Sequence, residues 1–332
     1  MNLSKKSADI RIEWDPLTLP IEVPVLAKSE YLKCKSQKFG WFISGEFILP
    51  FFIDQRLIFN RLVFTTEPIP AKKGSDLNSE KQFLENVIQL SKTENLCDYI
   101  SMAQSNVVFN CFPDESDFIE WGSYYIDLNI SEQDLLSGFH VKHRNVIKKA
   151  VNDGVIIEQT SNIDIIFQNM KETMVRQNSL HFPTAAYMHS LKANLPENVC
   201  FFVAKKEGIL QGSALIVFDQ NCGYYMYGGS IEKPTGGSMN LLQFEIMKFL
   251  IQKKVRKYDF VGARIDVLKD TKYDGIQRFK SRFGSKLKQG FAFRVVIHPL
   301  KYKIFCILIK IYFKLHGSDY VDTIDQIKLQ VY

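Results

Sequence analysis

Few residues in this 332-residue chain are placed to do chemistry, and the sharpest of them is a lysine. In the stretch YDGIQRFKSRFG, residues 273–284, helical phasing puts Ile276, Phe279 and Phe283 on one side, within an arc of about 60°. Lys280 falls about 40° from Ile276, on that apolar side, while Arg278 and Arg282 point the opposite way. A cation held in a dry pocket stabilises a developing oxyanion far better than one in water, and it can equally hold a phosphate. The structural alternative is a stem packed on Phe283 with its ammonium snorkelling to solvent. Phe279 is either a stacking surface for a base or an ordinary core residue.

Other candidates are spread along the chain. Asp259, in YDFVGA, sits at a predicted strand end and is either a general base or a tie for the neighbouring loop. Tyr225 and Tyr227 alternate with Met226 in YYMYGGS, so an ideal strand would carry both on one face, lining a channel or filling core. Arg144 and Lys148 follow His140 at four-residue steps, Arg176 lies near a helix end, and Arg264 follows a strand. All four are candidates for phosphate contact, although basic residues on helices are most often solvated. The six histidines form no Ser-His-Asp or Cys-His arrangement, and the six cysteines lie far apart without metal-ligand spacing, so no metal is expected.

The net charge of +6 fits an anionic substrate, RNA or an anionic membrane surface, and selects none of them. A hydrophobic content of 46% supports a buried core in each of two domains. The start of the chain lacks the apolar run of a signal peptide, and no segment reads as a clean membrane span, which points to the cytoplasm. One segment qualifies this. LKYKIFCILIKIYFKL, residues 300–315, is apolar almost all round, with Lys303, Lys310 and Lys314 aligned within about 40°. It is either a buried terminal helix or one lying in a membrane interface with snorkelling lysines.

These residues must be held by elements that the sequence largely announces. Residues 31–66 read as strands: YLKCKSQ, a Phe39-Gly40 turn, GEFILPFFI, a break at Asp54-Gln55, and RLIFNRLVFTT. A helix over 79–96 and the strand CDYISMA follow. Residues 199–263 repeat this order with VCFFVAKK, GSALIVF, GYYMYGGS, a helix from NLLQFEIMKFLIQKKV, and KYDFVGA. The same offset separates Gln82-Phe83 from Gln243-Phe244 and Asp98 from Asp259, which indicates an internal duplication. Between the repeats, Tyr124 to Leu128 reads as a strand. A single helix then starts at a Ser131/Asp134 capping box, buries Leu135, Leu136, Phe139, Ile147 and Ala150, and ends at Asn152-Asp153-Gly154.

In this order, W-x-x-Y-x-I-D-L, R-N-V-I-K-K-A, YYMYGGS, YDFVGA and F-K-S-R-F-G resemble the Fem family of peptidoglycan bridge-forming aminoacyltransferases. The resemblance implies an α+β chain of two tandem GNAT-like domains, each a mixed, mostly antiparallel sheet flanked by helices. The implied division is a degenerate first domain over 1–118, a transferase domain over 119–298, and a terminal helix and tail over 299–332. It also implies transfer of an aminoacyl group to an amine of a nucleotide- or lipid-linked envelope precursor, with Phe279 and Lys280 near the acceptor end of tRNA. No tightly bound cofactor is implied. The co-substrate is aminoacyl-tRNA, with acyl-CoA as the alternative. Coenzyme A enzymes of the fold carry Q/R-x-x-G-x-G/A before a helix, and KPTGGSMN, residues 233–240, is a degenerate echo of it. An acyl-CoA-dependent N-acyltransferase acting on an amino sugar and a catalytically silent precursor-binding protein are the competing readings. The setting implied is the cytoplasm, with peripheral contact at the inner face of the plasma membrane through residues 300–315.

Overall fold

A computed structural model describes residues 10–331 apart from 17–18, 57, 73, 178–181, 266 and 318. The chain divides into two compact units. One comprises the described residues of Met1–Gly122, Arg264–Asp266 and Gln289–Tyr332, and the other Ser123–Ala263 and Val267–Lys288. The described residues of 299–332, expected as a separate tail, group with the first unit.

The first unit opens with β1 (Arg11–Glu13), α1 (Ser29–Lys33), β2 (Phe39–Ile43), β3 (Phe47–Arg56), β4 (Phe59–Phe64) and β5 (Ile69–Pro70), then α2 (Leu77–Thr93) and β6 (Tyr99–Ile100). Three expectations fail here. YLKCKSQ is not a strand but runs through the helix α1, and Phe39-Gly40 lies inside β2 rather than in a turn. Gly40 is needed there for close packing, since a Cβ would sit 2.7 Å from the Glu13 carbonyl oxygen. Asp54-Gln55 likewise continues β3. α2 starts where Asp76 accepts a hydrogen bond from the Ser79 N–H at 2.7 Å, and it lays Phe83, Leu84, Val87 and Ile88 against Phe42, Phe51 and Phe64 of the sheet.

β7 (Asp117–Asp127) carries the chain into the second unit, followed by α3 (Glu132–Gly138), α4 (Val141–Asn152), β8 (Val155–Gln159), α5 (Ile163–Arg176) and α6 (Ala185–Asn194). Then come β9 (Val199–Lys206), β10 (Ile209–Phe218), β11 (Gly223–Ser230), α7 (Ser238–Gln252), β12 (Lys257–Asp259), β13 (Ala263–Arg264) and α8 (Lys272–Ser281). β14 (Lys286–Val296), α9 (Pro299–Leu315) and α10 (Thr323–Val331) complete the described chain. Ser131 caps α3 by accepting from the Asp134 N–H at 3.1 Å. The helix expected to run from there to Asn152 is broken at Phe139-His140, where His140 donates its N–H to the Arg282 carbonyl and its ring Nδ1 caps α4.

Each unit is a mixed, mostly antiparallel sheet flanked by helices, as expected. In the first the strand order is β1-β2-β3-β4-β6-β14, and in the second β7-β12-β11-β10-β9-β8. The duplicated topology is explicit: β4 pairs with β6 in parallel after a helical crossover, and β11 pairs with β12 in the same way. The two units then diverge. β3 and β4 keep continuous register from Phe51↔Phe64 to Arg56↔Phe59, and the chain after β6 stays joined to β4, with Ser101 N–H on Leu62 and Gln104 N–H on Phe64. In the second unit a bulge interrupts β10 and β11, because Ile216 opposes Tyr225 while Leu215 opposes Tyr227. β11 and β12 pair only at Gly223↔Tyr258 and Tyr224↔Asp259, after which Phe260 donates to Tyr124 of β7 instead. The parallel pair therefore splays open at its carboxyl end, where open α/β sheets bind ligands.

The bulge also decides where the tyrosines point. Met226 is the extra residue, so Tyr225 shares a face with Ile216 and packs on the core under α7. Tyr227 shares the opposite face with Leu215, its ring 6.4 Å from that of Tyr187 on α6. The expectation that both lie on one face is wrong, because a single inserted residue reverses the alternation. Gly228 and Gly229 follow for separate reasons. A Cβ on Gly228 would strike the Tyr225 hydroxyl, and one on Gly229 would lie 2.9 Å from the Asn169 carbonyl oxygen of α5. Because that second neighbour is helix backbone, Gly229→Ala is expected to lower stability by about 1–3 kcal/mol. A urea midpoint equal to that of the parent protein would refute the close approach.

Candidate active site

The carboxyl end of β12 is a strained turn. After Asp259 and Phe260, Val261 and Gly262 are both left-handed, with φ of 55° and 75°. This is a costly conformation for a β-branched valine, roughly 1–3 kcal/mol. Two side chains hold it. The Asp259 Oδ1 accepts from the Val261 N–H at 2.7 Å and from the Ser123 hydroxyl at 2.5 Å, and Ser123 Oγ in turn accepts from the Gly262 N–H at 3.2 Å. Asp259 therefore ties the loop, and Ser123, which sequence reasoning passed over, is its partner.

The turn aims two carbonyl oxygens at one point, and Lys280 is there. Its ammonium donates to Val261 O at 2.8 Å and to Gly262 O at 2.5 Å. The residue is only 8% exposed. Its ammonium does not snorkel to solvent, and the inward placement predicted from the helical phase holds. An ammonium has three donors, so one remains without a protein partner among the described residues. Burial pushes the Lys280 pKa down to about 8, with the charge of Asp259 pulling it back upward.

α8 is built to keep that lysine in place. Thr271 caps its start and Asp274 pairs with Arg278 on the solvent side at 2.6 Å. Phe283 is buried after the helix ends, and Gly284 turns left-handed at φ 70°, where a Cβ would lie 2.5 Å from the Gly138 carbonyl oxygen. Ile276, expected on the inward face, is 40% exposed instead, because the core under α8 extends only to Phe279 and Phe283. The missed anchor is His143 of α4. Its buried ring is hydrogen-bonded through Nε2 to Phe279 O at 3.0 Å and stands 4.5 Å from the Phe283 ring. Burial lowers its pKa, so the ring is neutral at pH 7 and Nε2 is the donor. The signal was present in the sequence, since position 143 lies on the same helical face as Ile147 and Ala150.

The remaining candidates scatter. Phe279 is half-buried, with His143 and Phe283 around its ring. Burial raises the Tyr225 pKa to about 12, against a hydrogen bond with Gln243 that lowers it, so the phenol is neutral. Arg144 caps α3 through Ser137 O and Phe139 O at 2.9 and 2.6 Å. Arg176 donates to Ser230 O at the end of β11, and Arg264 donates to Gln326 of α10, both of these in the first unit. Lys148 is exposed on α4. In the loop before α7, the Thr235 N–H is taken by Gln211 Oε1 at 2.8 Å and the Ser238 N–H by Thr235 O at 3.0 Å.

Comparison with known proteins falls on this part of the chain. The model of the FemAB family matches residues 204–310. The segment runs from β9 to α9 and contains YYMYGGS, YDFVGA and FKSRFG, which bears out the resemblance where the splayed strands, Asp259 and Lys280 lie. A protein named Lipid II:glycine glycyltransferase, from Staphylococcus epidermidis, is 33% identical over 102 residues, 30% of this chain. The match spans 24% of that relative's length. Among solved structures, FemX superposes with a TM-score of 0.63 at 14% identity, over 84% of this chain and 94% of FemX. L-PGS from Bacillus licheniformis gives 0.50 at 13% identity, over 83% and 94%. At these identities the structural likeness establishes the fold.

The loop chemistry is open to measurement. Asp259→Ala is expected to lower stability by about 2 kcal/mol, because it removes the acceptor for Val261 and Ser123. Val261→Gly is expected to be neutral or stabilising by about 1 kcal/mol. With Val261→Gly in place, the cost of Asp259→Ala should shrink, as read from a double-mutant cycle in urea. Strict additivity would show that Asp259 does not hold the strained turn.

Proposed function

We propose that the chain is an aminoacyltransferase that forms an amide on an amine of a cell-envelope precursor, with its reaction centre at the splayed end of β11 and β12. The observation that carries this reading is the Lys280 ammonium, buried, fixed by two carbonyls and left with one donor. Support comes from the FemAB-family segment around it and from the relative named a Lipid II:glycine glycyltransferase. On this reading the donor is aminoacyl-tRNA, the acceptor is a lipid-linked peptidoglycan precursor, and the reaction lies on the cytoplasmic side of the membrane.

The acceptor nitrogen attacks the carbonyl carbon of the aminoacyl ester, and the carbonyl oxygen becomes an oxyanion. The free Lys280 N–H meets that oxyanion, and the cation is worth most there because water is excluded. Collapse breaks the bond to the ribose oxygen, which takes up a proton released by the amine. No protein base is required, which suits an Asp259 already occupied with the loop. The free side of Phe279 stacks on the terminal base of the donor. The engaged N–H groups of Thr235 and Ser238 weigh against a pyrophosphate cradle for coenzyme A.

Lys280→Met keeps the length of the stem and removes the charge. It is expected to abolish transfer from aminoacyl-tRNA, a loss of at least about 100-fold, while retaining a cooperative urea transition. Full activity in that variant would sink the assignment. Transfer from acetyl-CoA but not from aminoacyl-tRNA would select the other donor.

The pH dependence has a definite sign. Lys280 is a cation below a pKa of about 8 and neutral above it. Single-turnover transfer should therefore fall as pH rises through about 8. In Lys280→Arg, whose guanidinium keeps its charge, whatever activity remains should lack that limb. An identical alkaline limb in the two proteins would remove Lys280 as its source.

A further inference from the structure

α9 is anchored along one side only. Phe305 packs 5.4 Å from Phe59 and 5.3 Å from Tyr99, ring to ring, and Tyr302 lies 5.0 Å from Tyr99. Phe313 meets Tyr320 at 5.1 Å, and Lys301 donates to the buried Asp98 at 2.9 Å. The opposite side carries Leu300, Ile304, Ile307, Leu308, Ile311 and Leu315, each between 41% and 80% exposed. Their spacing places all six within about 100° of the helix circumference, a continuous apolar stripe and not scattered surface residues.

The stripe has a charged border of one sign. Lys303, Lys310 and Lys314, all exposed, lie along one edge of it, and no acidic residue occurs between Pro299 and Leu315. A second copy of the chain would have no carboxylate on α9 to set against these lysines. A surface with an apolar interior and phosphate headgroups answers both features at once. The helix has 17 residues, about 26 Å at 1.5 Å per residue, shorter than a hydrocarbon core of about 30 Å. Among the described residues no helix is long and apolar enough to cross a membrane.

We propose that α9 docks the protein in the plane of an anionic lipid bilayer, with its stripe at the acyl boundary and the three lysines on lipid phosphates. This inference does not rest on the reaction proposed above. The test is co-sedimentation of the full chain with vesicles of equal parts phosphatidylglycerol and phosphatidylcholine, or of phosphatidylcholine alone. Binding is expected to the mixed vesicles, weakening at high salt. Replacing Lys303, Lys310 and Lys314 by Ser should reduce it on the order of 100-fold, at about tenfold or less per lysine. Ile304→Ser with Ile311→Ser should also release the protein, and both sets should keep the parent's urea transition because the side chains are exposed. No binding to mixed vesicles, or binding unchanged in both variants, would overturn the proposal. So would self-association that depends on the stripe and occurs without vesicle binding, which would give the face to a second copy.

Discussion

The second unit depends on an arrangement in which each part makes the next possible. A buried amine is costly unless its donors are satisfied, and the carbonyls of Val261 and Gly262 satisfy two of them. Those carbonyls converge because two consecutive residues are left-handed, one of them a valine that resists this conformation. The strain persists because Asp259 and Ser123 hold the turn's N–H groups. The lysine stays in place because α8 is pinned to α4 through His143 and to α3 through the close approach at Gly284. Remove the cation and two carbonyls of the turn lose a donor. Remove the aspartate and the turn has no reason to keep its shape.

The first unit supplies a control within the same molecule. It has the same strand–strand–strand–helix–strand order, and its Asp98 stands at the offset of Asp259. Asp98 accepts from Asn60 N–H at 2.8 Å and from Lys301 at 2.9 Å, where Asp259 accepts from Val261 N–H and Ser123. Yet β3 and β4 carry no bulge, and the strand pair beyond Asp98 stays joined as far as Phe64. The frame occurs twice, and the bulge and the splayed strand pair belong to the second copy.

What could be read from the residues follows from which patterns are periodic. β9 and β11 fall at the expected residues, and Lys280 lies inward as its phase required, because alternation and helical period are direct consequences of backbone geometry. A bulge has no period. Nothing in YYMYGGS marks Met226 as the inserted residue, so the tyrosines were assigned to one face when they occupy two. Ile276 has the right phase but lies beyond the edge of the core, which phase cannot detect. His143 is legible from the helical face it shares with Ile147, although it belongs to no catalytic set. A charge carries no signature of its partner, so the sequence leaves the partners of Arg144, Arg176 and Arg264 open. In the fold each donates to a protein oxygen.

The glycine loop before α7 bears on the source of charge in the site. Gly237 is left-handed at φ 88°, and a Cβ there would lie 2.1 Å from the Val146 carbonyl oxygen of α4. That contact accounts for the glycine without any ligand. Thr235 N–H and Ser238 N–H are already engaged, and the Ser238 hydroxyl donates to Thr235 O at 2.7 Å. The echo of a pyrophosphate motif can therefore arise from the packing of α7 against α4. Positive potential at the open end of the sheet must then come mainly from a side chain, and Lys280 is the buried cation fixed there. A point charge with one free donor suits a single oxyanion better than the several oxygens of a pyrophosphate.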